Sequence, residues 1–363
     1  MENIADIFRN KKVIITGHTG FKGSWLTLWL SILGSKLYGI SKDIPTDPSN
    51  YKSSIINDLV EDIRMDITEF SKLEKCIDEI QPDFIFHLAA QPIVGYSIKQ
   101  PLDTWRTNTI GTINLLEIIR TKLKRCIAVF ITSDKVYDNQ EWYWGYREND
   151  KLGGSDPYSA SKAGAELSIS SYYRSFFKRN SDIRISSVRA GNVIGGGDWA
   201  NNRIVPDCIK SWFKNKPVIL RNPYSTRPWQ HVLEPLSGYL TVAAMLKENL
   251  NLNGEAYNFG PSSEQNKSVK DLVESLSKYF PNGKYLIDDT YINYDSESKL
   301  LKLNCDKSQN DLQWVPTLDL DKTLEYTADW YKVYQLSPES TRKISEDQIL
   351  DFSKINKHYL FNS

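Results

Sequence analysis

The feature that most constrains the fold is a glycine-rich turn near the start of the chain, between an apolar strand and a helix. Lys12–Thr16 predicts the strand, and an apolar helix is predicted over residues 24–33. Three glycines, Gly17, Gly20 and Gly23, occupy the turn at GxxGxxG spacing. Glycines at such a junction let the backbone approach a pyrophosphate, toward which the helix N–H groups point. We therefore expect a dinucleotide to contact the turn through Gly17, Thr19, Gly20, Phe21, Lys22 and Gly23.

The segments that follow alternate between predicted strands and predicted helices. Strands are predicted at residues 37–40, 63–67, 84–90, 127–131 and 185–189, and helices at 103–120 and 159–177. Continuous apolar strands are typical of parallel sheets that helices cover on both faces. The predicted fold class is α/β, a doubly wound parallel sheet (Rossmann) with a smaller mixed C-terminal lobe. We expect the dinucleotide domain over residues 1–190, a substrate lobe with some return segments over 191–335, and a tail over 336–363.

Composition excludes several other classes of function. The 363 residues carry 45 Lys+Arg and 45 Asp+Glu, so no nucleic-acid or membrane partner is predicted. The four cysteines are far apart and form no CxxC pair, which argues against a metal site or a disulfide framework and fits a reducing cytoplasm. No stretch reaches the ~20 apolar residues that cross a bilayer.

The adenosine end of the dinucleotide should lie beyond the second and third strands. An acidic residue at this place often binds the ribose of NAD. Here Ser41 follows the strand, and Lys42 and Asp43 come next, so NAD and NADP both remain open from these residues. Asp66 is a candidate for the adenine edge. Further contacts are expected from Ile67, Leu88, Ala89, Ala90, Asn108, Tyr158 and Lys162.

The chemical centre is predicted after the strand at 127–131. Ser133, Asp134 and Lys135 follow it, where parallel sheets bind ligands. Tyr158 and Lys162 stand four residues apart, on one face of a helix. A tyrosine base near neutral pH needs its pKa lowered by roughly 3 units, which a neighbouring cation favours. The set predicts proton and hydride transfer on a sugar alcohol, and the acid–amine pair indicates a further step.

These residues resemble the extended short-chain dehydrogenase/reductase family, and within it the sugar-nucleotide 4,6-dehydratases. Many of those relatives have Asp-Glu where this chain has Asp134 and Lys135, a pair characteristic of the CDP-glucose subgroup. Longer matches to that subgroup are GHTGFKGSW at 17–25, EWYWGYRE at 141–148, GNVIGGGDW at 191–199 and RPWQHVLEP at 227–235. The resemblance runs from about residue 11 to residue 330.

The resemblance implies an NAD-dependent lyase that converts CDP-glucose to CDP-4-dehydro-6-deoxyglucose. Tyr158 would take the 4-hydroxyl proton, and Asp134 would protonate the departing 6-hydroxyl. Lys135 would be the C5 base or, alternatively, an ion pair that orients Asp134. The open alternatives are another nucleotide sugar, an epimerase or reductase, and a non-catalytic nicotinamide-sensing module. The expected substrate contacts are Gln91, Asn192, Arg203, Arg227 and His231.

The resemblance also implies a homodimer or homotetramer. The helices predicted at 103–120 and 159–177 would form a four-helix interface between subunits. Packing of the same helices within one core is the alternative.

Overall fold

The computed structural model describes residues 4–262, 265–288 and 300–356. Its strands are β1 Lys12–Thr16, β2 Lys36–Ser41, β3 Glu61–Arg64, β4 Phe84–His87, β5 Cys126–Ile131, β6 Ile183–Ala190, β7 Val193–Ile194, β8 Val218–Leu220, β9 Thr226–Pro228, β10 Gln230–His231, β11 Ala256–Phe259, β12 Asn266–Ser268 and β13 Tyr285–Ile287. Its helices are α1 Ile4–Phe8, α2 Phe21–Ile32, α3 Asn50–Ser53, α4 Phe70–Ile80, α5 Val94–Lys99, α6 Pro101–Trp105, α7 Gly111–Lys122, α8 Pro157–Tyr172, α9 Ile204–Trp212, α10 Leu233–Glu248, α11 Val269–Ser277, α12 Asp306–Leu312, α13 Leu320–Leu336 and α14 Thr341–Ile355.

A parallel sheet forms the centre of the described part of the chain. Seven strands pair in the order β11-β6-β5-β4-β1-β2-β3, and every pair is parallel. The order reverses between β1 and β4, which creates the crevice where such sheets bind ligands. Buried side chains cover both faces of the sheet in two separate clusters. The predicted doubly wound α/β class is confirmed.

Each of the two long helices predicted around the site contains a π-helical turn. Arg106–Ile110 forms such a turn between α6 and α7, and Tyr173–Phe177 forms another at the end of α8. Helix α2 begins at Phe21, three residues before the predicted start, because Gly20 is extended and caps it. Strand β4 ends at His87, so residues 88–90 leave the sheet as connecting backbone.

Among the described residues of the second half, three two-stranded sheets lie outside the main sheet. Strands β9 and β12 pair antiparallel, and β8 pairs with β13 in parallel. Strand β11 pairs with β6 and closes one edge of the main sheet. Strand β7 follows β6 and pairs with β10, so this part of the chain begins beyond the carboxyl end of β6, the strand next to β5.

The last described helix, α14, docks on the first half of the chain. Ile349 and Phe352 are fully buried, and the ring of Phe352 meets the edge of Trp29 on α2 at 5.7 Å. The sequence pattern did not predict this helix, and residues 357–363 of the tail lie outside the described residues. Among the described helices, none combines the length and apolar character needed to cross a membrane.

Candidate active site

The predicted catalytic turn lies directly after β5. Ser133 is extended and caps a short 3₁₀ turn, Asp134–Val136, by accepting a hydrogen bond from the Lys135 backbone N–H at 3.2 Å. Its hydroxyl also donates to Asp134 Oδ1 at 3.0 Å. Ser133 and Asp134 are buried, whereas Lys135 is half-buried. The turn thus presents a hydroxyl and a carboxylate side by side.

Helix α8 brings the tyrosine and the lysine to this turn. Asp156 caps the helix by accepting from the Ser159 N–H at 3.0 Å, and Pro157 occupies the first helical position. Tyr158 and Lys162 are both buried. Lys162 Nζ donates to the Ile131 carbonyl at 3.2 Å, at the end of β5. Strand end and helix are therefore joined by the lysine that the sequence singled out.

The pKa of Tyr158 is not lowered in the protein alone, although the proposed role as a base needs a lower pKa. Burial raises the pKa of Tyr158, and the opposing effects of the Ser133 hydrogen bond and the Arg203 charge do not cancel it. Burial lowers the pKa of Lys162 to about 8, against the attraction of Glu166. The expected downward shift of the tyrosine therefore requires charge brought by a bound ligand, because the protein alone holds a neutral phenol.

The glycine turn forms a cradle that a side chain would fill. Gly17 has φ +77°, and a Cβ there would lie 2.8 Å from the Ala89 backbone nitrogen. A Cβ on Gly23 would lie 2.1 Å from the Gly17 carbonyl oxygen. Gly20 precedes the first turn of α2, whose N–H groups face the cradle. These residues fit a dinucleotide pyrophosphate, with Leu88, Ala89 and Ala90 half-buried beside it.

Thr19, Ser41 and Asp43 join the glycine turn to β2. Thr19 Oγ1 donates to the Asp43 carbonyl at 2.7 Å, and its N–H donates to Ser41 Oγ at 3.4 Å. The buried His18, which the sequence analysis did not select, contacts Ser41 Oγ at 2.9 Å and Asp62 Oδ1 at 3.1 Å. Burial lowers the pKa of His18 to about 4. The Ser41 side chain is thus buried and hydrogen-bonded within the protein, whereas Asp43 is exposed.

Asp66 lies next to this end of the cradle and is already paired. Its Oδ1 accepts from the Thr68 N–H at 2.9 Å, and its Oδ2 meets Lys42 Nζ at 3.0 Å. Burial opposes ionisation of Asp66, but these partners hold its pKa below the ordinary value. The neighbouring Ile67 is a core residue that packs against Gly111. A hydrogen bond from Ile67 itself would therefore come from its backbone.

Gln91 and Asn108 use their side chains inside the protein. Asn108 Oδ1 accepts from the Gln91 N–H at 2.8 Å, and its amide donates to Ser161 Oγ at 2.9 Å. Gln91 donates to Thr104 Oγ1 at 2.9 Å and accepts from the Ile93 N–H at 2.5 Å. Gln91 ties the loop after β4 to α6, and Asn108 ties the same loop to α8. Their side chains therefore have internal partners, and direct contact of Gln91 with the substrate and of Asn108 with the cofactor stays a prediction.

The substrate residues predicted in the second half separate into two groups. Arg203 pairs with Asp198 at 2.9 Å, and its charge reaches Tyr158. Asn192 is half-buried with φ +48°, and Arg227 is half-buried in the β9–β12 pair. His231 instead has no exposed surface and meets Trp25 edge-on at 5.9 Å. We therefore assign His231 to the core and keep the other three as proposed contacts.

Lys22, which was predicted as a cofactor contact, also lies near the predicted catalytic residues. Its amine lies 3.4 Å from the Tyr239 hydroxyl. Burial lowers the pKa of Lys22 to about 8, with Arg203 adding to the effect and Asp134 opposing it. The first turn of α2 therefore contributes a cation to the same centre as Asp134.

Two close neighbours of the catalytic residues were missed by the sequence analysis. Glu166 lies one turn beyond Lys162 on α8, and this i, i+4 spacing was a readable signal. Gly191 follows β6, and a Cβ there would lie 1.9 Å from Asp134 Oδ2. Any other residue at position 191 would have to displace the carboxylate.

The comparisons with known proteins agree with this geometry. Residues 14–327 match the family described as GDP-mannose 4,6 dehydratase. The chain is 46% identical over 334 residues to a CDP-glucose 4,6-dehydratase of Salmonella typhimurium, covering 91% of this chain and 92% of that protein.

Solved structures share the fold along most of its length. A UDP-glucuronic acid 4-epimerase from Bacillus cereus, in complex with UDP-glucuronic acid and NAD, superposes with a TM-score of 0.74 at 25% identity, covering 88% of this chain and 99% of that one. A dTDP-glucose 4,6-dehydratase from Bacillus anthracis in complex with NAD gives 0.72 at 23% identity, covering 89% and 96%. The chain belongs to the GDP-mannose 4,6 dehydratase family, in the extended short-chain dehydrogenases/reductases.

Proposed function

We propose that this protein is an NAD-dependent lyase that removes water from CDP-glucose to give CDP-4-dehydro-6-deoxyglucose. The observation that carries the proposal is the 46% identity, over 91% of the chain, to a CDP-glucose 4,6-dehydratase. The site supports it, because Asp134 adds a buried carboxylate to the Ser133, Tyr158 and Lys162 set that oxidation alone needs. An epimerase has no elimination for such an acid to assist.

Tyr158 and Ser133 carry out the first proton transfer. Tyr158 accepts the proton of the glucose 4-hydroxyl, and Ser133 holds that oxygen by hydrogen bonding. Bound NAD supplies the hydride acceptor for C4, a positive ring that favours the phenolate, and the hydride that later returns to C6. Lys162, with its pKa lowered to about 8, would stabilise the phenolate as a cation.

The turn after β5 then carries out the elimination. The C4 ketone acidifies the C5 proton, which a base removes as Asp134 protonates the departing 6-hydroxyl. Lys135 is either that base or the cation that orients Asp134. Water leaves, and the bond between C5 and C6 becomes unsaturated. A hydride added at C6 and a proton added at C5 complete the product, so the net change is the loss of one water.

The cofactor and the substrate phosphates have separate proposed binding residues. The cradle made by Gly17, Gly20 and Gly23 would hold the pyrophosphate of NAD, with Ser41 and Asp43 at the adenosine end. Arg203, Arg227 and Asn192 would bind the diphosphate and sugar of the substrate, since guanidinium groups match phosphate geometry. The use of NAD and of a nucleotide sugar, together with four cysteines outside any disulfide, supports a reaction in the cytoplasm.

The nucleotide assignment is tested by incubating the protein with a panel of CDP-glucose, dTDP-glucose, UDP-glucose and GDP-mannose. Mass spectrometry should show the loss of one water from CDP-glucose at a rate at least about a hundredfold above the others, as expected when a site is built around one base. Water loss from dTDP-glucose without water loss from CDP-glucose would contradict the assignment.

We also propose that two subunits associate through α6, α7 and α8. Helices α5, α6 and α8 and the two π-helical turns expose large apolar side chains, including Ile98, Leu102, Ile110, Leu167 and Phe176. Contiguous exposed apolar surface of this kind marks protein interfaces. Leu167→Glu should convert the assembly to monomers in sedimentation experiments. The same change at the exposed Leu336 is the matched control, and a dimer that survives Leu167→Glu would refute this interface.

A further inference from the structure

A buried ion pair behind the active site takes no part in the proposed chemistry. Glu166 and Arg189 are 4% and 3% exposed. The Arg189 guanidinium donates twice, from Nε to Glu166 Oε1 and from Nη2 to Glu166 Oε2, each at 2.9 Å. The two charges therefore form a bidentate pair that joins α8 to β6.

The pair is hydrogen-bonded to both ends of the catalytic turn. Thr132, the residue before Ser133, donates from Oγ1 to Glu166 Oε1 at 2.5 Å. Tyr137, the residue after Val136, accepts at its hydroxyl from Arg189 Nη1 at 2.7 Å. The same helix carries Tyr158 and Lys162, two turns and one turn before Glu166. A single rigid unit thus fixes the turn and the helix against each other.

A purely structural role accounts poorly for this arrangement. Buried ion pairs contribute little net stability, because the loss of hydration offsets their attraction. Stability alone also gives no reason for contacts to fall on the two residues that bracket Ser133–Val136. Tyr137 is further fixed by donating to Asn258 Oδ1 at 2.7 Å and by stacking on Tyr146 at 5.0 Å. The position of Tyr137 is therefore fixed by residues that lie outside the turn.

We propose that the Glu166–Arg189 pair is a clamp that positions Asp134 and Lys135 for the elimination step. The inference rests on the proposed function. Tyr158, the proposed base of the oxidation, sits directly on α8, so removal of the 4-hydroxyl proton depends on the turn only through the supporting hydrogen bond of Ser133. Asp134 and Lys135 sit in the turn itself, so their distance to C5 and C6 depends on it strongly. A misplacement of about 1 Å costs on the order of a hundredfold in rate.

The test loosens the clamp at each end without touching its charges. Thr132→Val and Tyr137→Phe each remove one hydroxyl and keep the size of the side chain. Each should lower kcat by about tenfold to a hundredfold with KM changed less than about twofold. Because oxidation at C4 continues while elimination slows, NADH absorbance should rise during turnover. Ser187→Ala is the matched control, since Ser187 also donates to Glu166 Oε2, at 2.8 Å, but lies on β6 away from the turn.

Hydrogen exchange gives a second readout that does not depend on turnover. The amides of Lys135 and Val136 bond within the turn, to Ser133 Oγ and to the Ser133 carbonyl. In Thr132→Val and Tyr137→Phe their exchange should be about tenfold faster than in the wild type, and in Ser187→Ala it should be unchanged. Exchange that is equal in all three variants, or equal NADH signals, would overturn the clamp. A wild-type protein that removes no water from CDP-glucose would instead overturn the proposed function.

Discussion

Tyr158→Phe is expected to lower kcat on CDP-glucose by about a thousandfold, which corresponds to ~4 kcal/mol of lost transition-state stabilisation. The phenylalanine keeps the ring on the buried face of α8 and removes only the group that accepts the 4-hydroxyl proton. Substrate binding should change little, because the proposed phosphate contacts Arg203 and Arg227 lie on other segments. Steady-state kinetics together with calorimetric binding of CDP-glucose measure both quantities.

A matched control for Tyr158→Phe is Tyr239→Phe. Tyr239 is a fully buried tyrosine near the same centre, and its hydroxyl lies 3.4 Å from Lys22 Nζ. We expect this change to lower kcat by less than about tenfold, since a neutral hydrogen bond contributes about 1 kcal/mol. Turnover by Tyr158→Phe at more than about a tenth of the wild-type rate would remove Tyr158 from its proposed role as the base.

Asp134→Asn should lower the overall rate by at least about a hundredfold while leaving oxidation at C4 intact. The amide has nearly the same shape as the carboxylate, but it cannot protonate the departing 6-hydroxyl. NADH should therefore accumulate after substrate is mixed with this variant. Rapid-mixing absorbance measures the accumulation, and mass spectrometry measures the lost water. Water loss by Asp134→Asn at the wild-type rate would contradict the acid role of Asp134.

Lys135→Met separates the two roles left open for Lys135. If Lys135 is the C5 base, the variant in heavy water should incorporate deuterium at C5 at least about a hundredfold more slowly than the wild type. If Lys135 only orients Asp134 as an ion pair, incorporation should stay within about threefold, because another group would then remove the C5 proton.

Local patterns predicted the parts of the site that depend on neighbouring residues in the chain. The strand before the glycine turn and the i, i+4 pair of Tyr158 and Lys162 are properties of short segments, and the structure places them as the sequence indicated. The α/β alternation likewise followed from segments of continuous apolar sequence. The start of α2 was misjudged by three residues, because the cap is the extended Gly20 and not a polar side chain.

The roles that the sequence did not predict depend on distant partners. Gln91 and Asn108 are polar residues near the site, yet they bond to each other. Asn108 also bonds to Ser161, which lies 53 residues away in the chain. His231 follows a basic and aromatic motif, but its ring packs between Trp25 and Tyr326. Glu166 on α8 was missed because its partner Arg189 lies on β6, 23 residues further along the chain.

The most direct test of the account follows a deuterium atom placed at C4 of CDP-glucose. If C4 is oxidised and the same hydride returns to C6, the product should lack one water and carry the label at C6, as located by NMR. Product in which the deuterium has been lost to solvent, or has stayed at C4, would contradict the proposed reaction of this site.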